Sequence, residues 1–251
     1  MEQIVNELAN AQERLEELEL DETTDLSASI SLFQSIPGLV GFWPMSSVQR
    51  STGNVYDLSG QGRTLLYNGN PVYNYRSNIL VPFISLDGVG DYLSRADETD
   101  LDILGTETIY HADTRGLTYG GWFWFDTIAS TTTFYGKRGG TPGSGFGWFM
   151  QHTTTNIINY LSVDGTALVS NSVANTTTGE WMFIIANFDP SVSLNLFING
   201  TKTTNTTSIP ASIANITGAF SVGAINGGTE PMAGRASFCF VSANFLDDTN
   251  K

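Results

Sequence analysis

The sequence predicts an all-β protein, a two-sheet antiparallel sandwich of the jelly-roll type, preceded by a short N-terminal helix. From Leu39 onward, short runs of β-branched and aromatic residues follow one another, separated by Gly, Asn, Asp and Ser. No helical pattern interrupts them, which excludes a fold of alternating strands and helices. Only 14% of the 251 residues are charged while 41% are hydrophobic, so Ser, Thr, Asn and Gly must supply the polar surface.

The N-terminal segment, residues 1–25, has a different composition. It holds nine acidic residues and one arginine, a net charge of −8 out of −14 for the whole chain. MEQIVNELANAQERLEELEL lacks Gly and Pro and is rich in helix formers. Its apolar residues follow the 4, 3 spacing of a heptad stripe. The stripe consists of Ile4, Leu8, Ala11, Leu15 and Leu18.

Two heptads are marginally stable as an isolated helix in water, so something must cover this stripe. Self-association or docking on a partner is the favoured interpretation, and packing against the chain's own domain is the alternative. Residues 26–38 are rich in polar turn formers and end at Pro37-Gly38, which predicts a linker. The sandwich is then expected to occupy residues 39–251, with its clearest hairpin at Asn199-Gly200.

Charge and hydropathy exclude several classes of function. The acidic chain has no basic patch, so we expect no nucleic-acid binding. No apolar run approaches the ~18 residues that a membrane span needs. The N-terminus has no apolar core typical of a signal peptide, which predicts synthesis in the cytoplasm. The single cysteine, Cys239, lies in the apolar run ASFCFVSANF and is expected to be a buried structural thiol.

Eight short motifs in order, covering about residues 37–247, resemble the laminin-G-like jelly rolls of the concanavalin A-like lectin/glucanase superfamily. They are GLVGFWPM, VYDLSGQGRTLLYNG, ISLDGVGDYLSRAD, GGWFWF, GEWMFIIANFD, LNLFINGTK, FSVGA and MAGRASFCFVSANFL. The resemblance implies two antiparallel sheets packed as a sandwich. It also implies a carbohydrate- or protein-binding face and, in some members, a Ca²⁺ ion.

The segment NVYDLSGQGRTLLYNGN, residues 54–70, has three interpretations: a phosphate-binding loop, a turn and a calcium site. The first is excluded because the segment lacks the Lys and the following helix of a phosphate-binding loop. A turn is favoured, in which Asp57 accepts hydrogen bonds from backbone N–H groups. The alternative is a structural calcium site, with Asp57, Asp87 and Asp91 as candidate ligands. Ser237 stands where members of the family that the chain resembles often carry an acidic residue, which weakens the calcium alternative. We expect that the protein requires no cofactor.

A catalytic site is not predicted. Glycosidases need two carboxylates flanking the bond, and the E-x-D-x-x-E motif of the glucanase branch is missing. Four isolated residues beyond residue 100 lack a partner at catalytic or metal-binding spacing. They are Glu107, Glu180, His111 and His152. We therefore expect a protein that is not an enzyme, with a glycoside hydrolase as the least favoured alternative.

Exposed aromatic rings are what a glycan-binding face would require. The candidates are Tyr135, Trp148 and Tyr160, although packing in the sheets is the favoured role for each. An acidic helix joined to a sandwich resembles the organisation of bacteriophage capsid-decoration or tail-associated proteins. The sequence thus favours a structural or display protein of a virion or cell-surface assembly. Its expected partners are other assembly proteins or further copies of itself, and a lectin or adhesion module is the alternative.

Overall fold

The computed structural model describes residues 22–48, 51–74, 82–106, 115–139, 145–225 and 227–246. Within these ranges the chain forms two antiparallel sheets that pack face to face, with one α-helix ahead of the first strand. The predicted all-β antiparallel sandwich with a short N-terminal helix is confirmed. No helix in these ranges is both long enough and apolar enough to cross a membrane.

Sheet I has the strand order β13-β12-β11-β6-β15-β4-β3, and β1 pairs with β15 beside this path. Its strands are β1 (Leu39–Trp43), β3 (Val72–Asn74), β4 (Phe83–Asp87), β6 (Leu117–Phe125), β11 (Trp181–Asp189), β12 (Ser193–Ile198), β13 (Thr201–Asn205) and β15 (Ala233–Ser242). The predicted Asn199-Gly200 turn joins β12 to β13, and Asn199 has a φ of 47°. Asparagine and glycine tolerate this left-handed conformation better than other residues.

Sheet II has the strand order β10-β9-β8-β7-β14-β5-β2. Its strands are β2 (Leu66–Asn68), β5 (Tyr92–Arg95), β7 (Thr132–Arg138), β8 (Phe146–His152), β9 (Asn156–Ser162), β10 (Leu168–Ala174) and β14 (Phe220–Val222). The β7-β8-β9-β10 part is a run of neighbours in the chain, so consecutive hairpins build it. A short 3-10 helix, Thr99–Leu101, follows β5.

The core lies between the two sheets, where alternate residues of each strand point inward. Trp43 of sheet I stacks on Phe220 of sheet II with ring centroids 5.0 Å apart. Trp148 approaches the same Phe220 ring at 5.8 Å. Cys239 is also buried here, as its apolar surroundings in the sequence predicted.

Helix α1, Glu22–Gln34, occupies much of the stretch expected to be a linker. Its Phe33 is buried against the outer face of sheet I, which also carries Phe42 and Phe240. Phe238 contributes to the same face, because a register shift in β15 gives it a φ of 46°. The polar residues Ser27, Ser31 and Gln34 lie on the exposed side of this docked helix, and residues 35–38 form the turn that leads to β1.

Candidate functional site

The outer face of sheet II carries a cluster of polar and aromatic side chains. It arises because successive residues of a strand point to opposite faces of the sheet. Trp148 and Met150 of β8 belong to the core, whereas the alternate residues Phe149 and Gln151 do not. In the next strand Tyr160 pairs with Phe149, so its side chain shares the outer face. This surface is called the β8–β9 face below.

An ion pair lies at the centre of the β8–β9 face. Arg138, at the end of β7, donates from Nη1 to Oε2 of Glu230 at 2.7 Å and from Nη2 to Oε1 at 3.3 Å. The same Oε2 accepts hydrogen bonds from the Thr133 hydroxyl at 2.6 Å and from Gln151 Nε2 at 2.7 Å. Three side chains from two neighbouring strands therefore hold the Glu230 carboxylate in place.

Glu230 belongs to the connection between β14 and β15 rather than to a strand. Its φ is 50°, a left-handed conformation that is unusual for a residue other than glycine. The backbone N–H of Thr133 donates to the Glu230 carbonyl at 3.0 Å, and Ile225 and Thr229 form a bridge at the base of the loop. Such strained residues persist only where their surroundings fix them, and they concentrate at binding sites.

Three aromatic rings lie around the Arg138 side chain; Phe146 and Phe149 are buried, and Tyr160 is partly exposed. The Arg138 guanidinium lies 4.8 Å from the ring centroid of Phe149 and 5.2 Å from that of Phe146. The Tyr160 ring stacks on Phe149, with centroids 5.0 Å apart and planes 23° apart. Partial burial raises the pKa of Tyr160, and Glu230 acts in the same direction while Arg138 opposes it. The phenol is therefore neutral near pH 7 and available as a hydrogen-bond donor or acceptor.

The other two aromatic candidates are in the core, which is the packing role that the sequence favoured for them and corrects their alternative assignment as glycan-binding residues. Tyr135 is fully buried and its hydroxyl donates to the Phe240 carbonyl of sheet I at 2.9 Å. Burial raises the pKa of this phenol well above its usual value. Trp148 is 1% exposed and contacts Tyr119 across the core. Neither ring can stack on a ligand without unfolding, so Tyr160 alone of the three candidates stays available.

Asp57 caps a turn, as the favoured reading of residues 54–70 expects. Its Oδ1 accepts from the backbone N–H of Phe42 at 2.9 Å and of Ser59 at 2.8 Å. Its Oδ2 accepts from the Ser59 hydroxyl at 2.8 Å and from the Arg63 N–H at 2.9 Å. The buried Arg63 guanidinium in turn donates to the Val40 carbonyl, which ties the turn to β1.

Asp87 and Asp91 lie together in the turn between β4 and β5. Asp87 Oδ1 accepts from the Val89 N–H at 2.7 Å, and Asp91 accepts from the N–H groups of Asn70 and Asp87. In the described part of the chain, no three His, Cys, Asp or Glu side chains are grouped so that they could hold a metal ion. Asp57 thus caps one turn while Asp87 and Asp91 cap another, and the three carboxylates are not grouped as the candidate calcium ligand set.

The other residues singled out in the sequence fall in two groups. Glu180 is exposed at the start of β11, and His152 is buried, with its ring nitrogens facing the Thr153 carbonyl and the Asn175 amide oxygen. The remaining ones lie outside the described residues. They are Glu107, His111 and the heptad stripe of Ile4, Leu8, Ala11, Leu15 and Leu18.

The residues at the centre of the β8–β9 face were not predicted as a site. Arg138 and Glu230 are 92 positions apart, so no local motif connects them. One weak signal existed: Glu230 is one of few glutamates beyond residue 100, and it follows the Gly-rich segment NGGT. Glycine-rich loops of this kind commonly carry binding residues on a rigid scaffold.

No family model and no curated protein matches the sequence. Solved structures do match. The receptor-binding domain of botulinum neurotoxin C/D mosaic serotype superposes with a TM-score of 0.62 and 13% identity, covering 84% of this chain and 49% of that one. The binding domain of Paraclostridial Mosquitocidal Protein 1 gives a TM-score of 0.62 and 12% identity, covering 86% and 50%.

A third match is the binding domain of botulinum neurotoxin DC in complex with rat synaptotagmin II, with a TM-score of 0.62 and 12% identity. It covers 85% of this chain and 50% of that one. What these proteins share with this chain is the fold. The chain spans about half the length of the solved structures that it matches.

Proposed function

We propose that this protein is a non-enzymatic attachment or display module whose sandwich binds a carbohydrate on the β8–β9 face. The observation that carries the proposal is the grouping of Tyr160, Arg138, Glu230 and Gln151 on one outer sheet surface. A ring for stacking beside fixed hydrogen-bonding groups is the general composition of a small-ligand site. The resemblance to lectin-like jelly rolls and the likeness in fold to toxin binding domains both support it.

A binding role fits the chemistry of this face better than catalysis does. Among the described residues, the side chains that contact the Glu230 carboxylate are Arg138, Thr133 and Gln151, which are cationic or neutral. A glycosidase instead pairs two carboxylates about 5–9.5 Å apart, with one of them free to move a proton or attack the sugar. The extensive hydrogen bonding of Glu230 favours a fixed recognition group.

The test of this function is a glycan array probed with the full chain. We expect binding to a subset of glycans, and Tyr160→Ala should lose that binding because the stacking ring is removed. Tyr56→Ala is the matched control, since Tyr56 is 44% exposed and belongs to none of the strands of this face. Equal binding by wild type and Tyr160→Ala would contradict the assignment of the site.

We further propose that the module is displayed on a virion or cell-surface assembly, as a bacteriophage decoration or tail-associated protein would be. The heptad stripe of residues 1–20 supports this, because a short acidic helix needs a partner or further copies of itself. Light scattering of the full chain should give an oligomer, and the double variant Leu8→Lys with Leu15→Lys should give a monomer. An unchanged mass in that variant would exclude the stripe as the assembly element.

A further inference from the structure

We infer that the β8–β9 face selects uncharged glycans and discriminates against sialylated or sulfated ones. This inference rests on the proposed carbohydrate-binding function and names the class of ligand for the same site. It follows from the hydrogen bonds that Arg138 and Glu230 already make within the protein and from the acceptor capacity that remains on Glu230.

The Arg138 guanidinium already donates hydrogen bonds to side chains of the protein. Nη1 donates to Glu230 Oε2 at 2.7 Å and to the Thr133 hydroxyl at 2.8 Å, and Nη2 donates to Glu230 Oε1. Nε is buried and has no hydrogen-bond partner among the described residues, while the guanidinium lies over the rings of Phe146 and Phe149. A carboxylate or sulfate on a ligand would have to displace Glu230 to form the two-pronged contact that arginine favours.

The two oxygens of the Glu230 carboxylate differ in how many hydrogen bonds they accept. Oε2 accepts from Thr133, Arg138 and Gln151, so its capacity is used. Oε1 has one contact in the described chain, the Arg138 Nη2 at 3.3 Å, and the side chain is 31% exposed. A carboxylate oxygen can only accept hydrogen bonds, so the partner for Oε1 is a donor such as a sugar hydroxyl.

Electrostatics lead to the same class of ligand. The guanidinium and the carboxylate neutralise each other, and the chain as a whole carries a formal charge of −14. Among the described residues an anionic glycan would meet no unpaired cation at this face, since Arg138 is paired with Glu230, and the negative net charge would repel it at long range, less so in high salt. A neutral sugar lying on Tyr160, with a hydroxyl donating to Glu230 Oε1, needs no cationic partner and is not repelled by the negative charge of the chain.

The inference is tested on an array of matched neutral oligosaccharides and their sialylated and sulfated forms. We expect the wild type to bind neutral members at least about tenfold more tightly than their acidic forms. Glu230→Gln should reduce this preference or reverse it, because it leaves the Arg138 charge unbalanced. Glu180→Gln, which removes an equal charge from an exposed site at the start of β11, should leave the preference unchanged.

Salt dependence gives a second readout that needs no variant. Binding of a neutral glycan should change little between low and high salt, whereas recognition of an acidic glycan by a free arginine weakens steeply. Wild-type binding that prefers acidic glycans and is lost in Tyr160→Ala would overturn the ligand class but not the proposed function. Absence of any glycan binding by the wild type would overturn the proposed function and this inference with it.

Discussion

The ring of Phe33 in α1 lies flat on the ring of Phe42 in β1, with centroids 4.9 Å apart and planes 4° apart. The same ring meets the edges of Phe183 and Phe240 at 6.5 and 5.5 Å. One helical side chain thus contacts three strands of sheet I on the side away from the core. The helix is a structural part of the sandwich and covers apolar surface that would otherwise face water.

Replacing Phe33 by alanine should lower the free energy of unfolding by about 3–5 kcal/mol, because a fully buried aromatic ring is lost and a cavity remains. Urea denaturation followed by tryptophan fluorescence measures this. Ser27→Ala, on the exposed side of the same helix, is the control and should change stability by no more than about 0.5 kcal/mol. A Phe33→Ala effect as small as the control's would mean that α1 is not docked in solution.

Replacing Asp57 by alanine should destabilise the protein by about 2–3 kcal/mol. The change removes one acceptor group and leaves the N–H groups of Phe42, Ser59 and Arg63 without their partner. Asp57→Asn keeps one carbonyl oxygen and should lose less. The measurement is urea denaturation, and equal stability of all three proteins would contradict the capping role.

Calcium should not change the stability of the protein. Asp57, Asp87 and Asp91 are each engaged by backbone N–H groups, and they do not converge on one point. We expect the same thermal unfolding midpoint in EDTA and in excess CaCl₂, measured by circular dichroism. A midpoint that rises with calcium concentration would instead reveal a site that binds the folded state.

Acid should destabilise the protein in part through His152. Burial lowers the pKa of its imidazole below 6.5, and the hydrogen bonds with Thr153 and Asn175 oppose that effect. The unfolded chain therefore binds a proton near pH 6.5 while the folded chain does so only at lower pH, and stability falls as the pH decreases through this interval. Urea denaturation between pH 7 and about pH 5 should show a shallower decline for His152→Gln than for the wild type. Parallel curves would show that His152 does not titrate as described.

The existence of the strands was predictable from the sequence because strands leave a local pattern, whereas the Asn199-Gly200 hairpin was the one pairing predicted. GGWFWF and WMFIIANF are short aromatic and aliphatic runs, and they become the paired strands β6 and β11 at the centre of sheet I. The helix Glu22–Gln34 was not predicted, since six of its 13 residues are Ser, Thr or Asp. Its signal was the 4, 3 spacing of Leu26, Ile30 and Phe33, which all contact the outer face of sheet I.

The candidate site could be predicted only in part. Tyr160 was among the aromatic candidates, but the sequence does not tell which face of a strand is exposed when both faces carry apolar residues. The β8–β9 register settles that point, because it pairs Trp148 with Leu161 and Phe149 with Tyr160. The Arg138–Glu230 contact depends on a loop that returns after 92 residues, so only the tertiary structure reveals it.

The thiol of Cys239 should be unreactive in the folded protein. It is buried in the core between the sheets, where burial raises its pKa well above the usual value and its Sγ contacts the Ser237 carbonyl. Because the thiolate is the reactive form, an aromatic disulfide reagent should label the native chain only as fast as it opens. Labelling should reach one equivalent in denaturing urea, since the sequence has one cysteine.

The labelling rate of Phe33→Ala should exceed that of Ser27→Ala, because loss of the helix contact lowers the free energy of opening. Rapid labelling of the native wild type would place Cys239 at an accessible surface and contradict the packing described for β15.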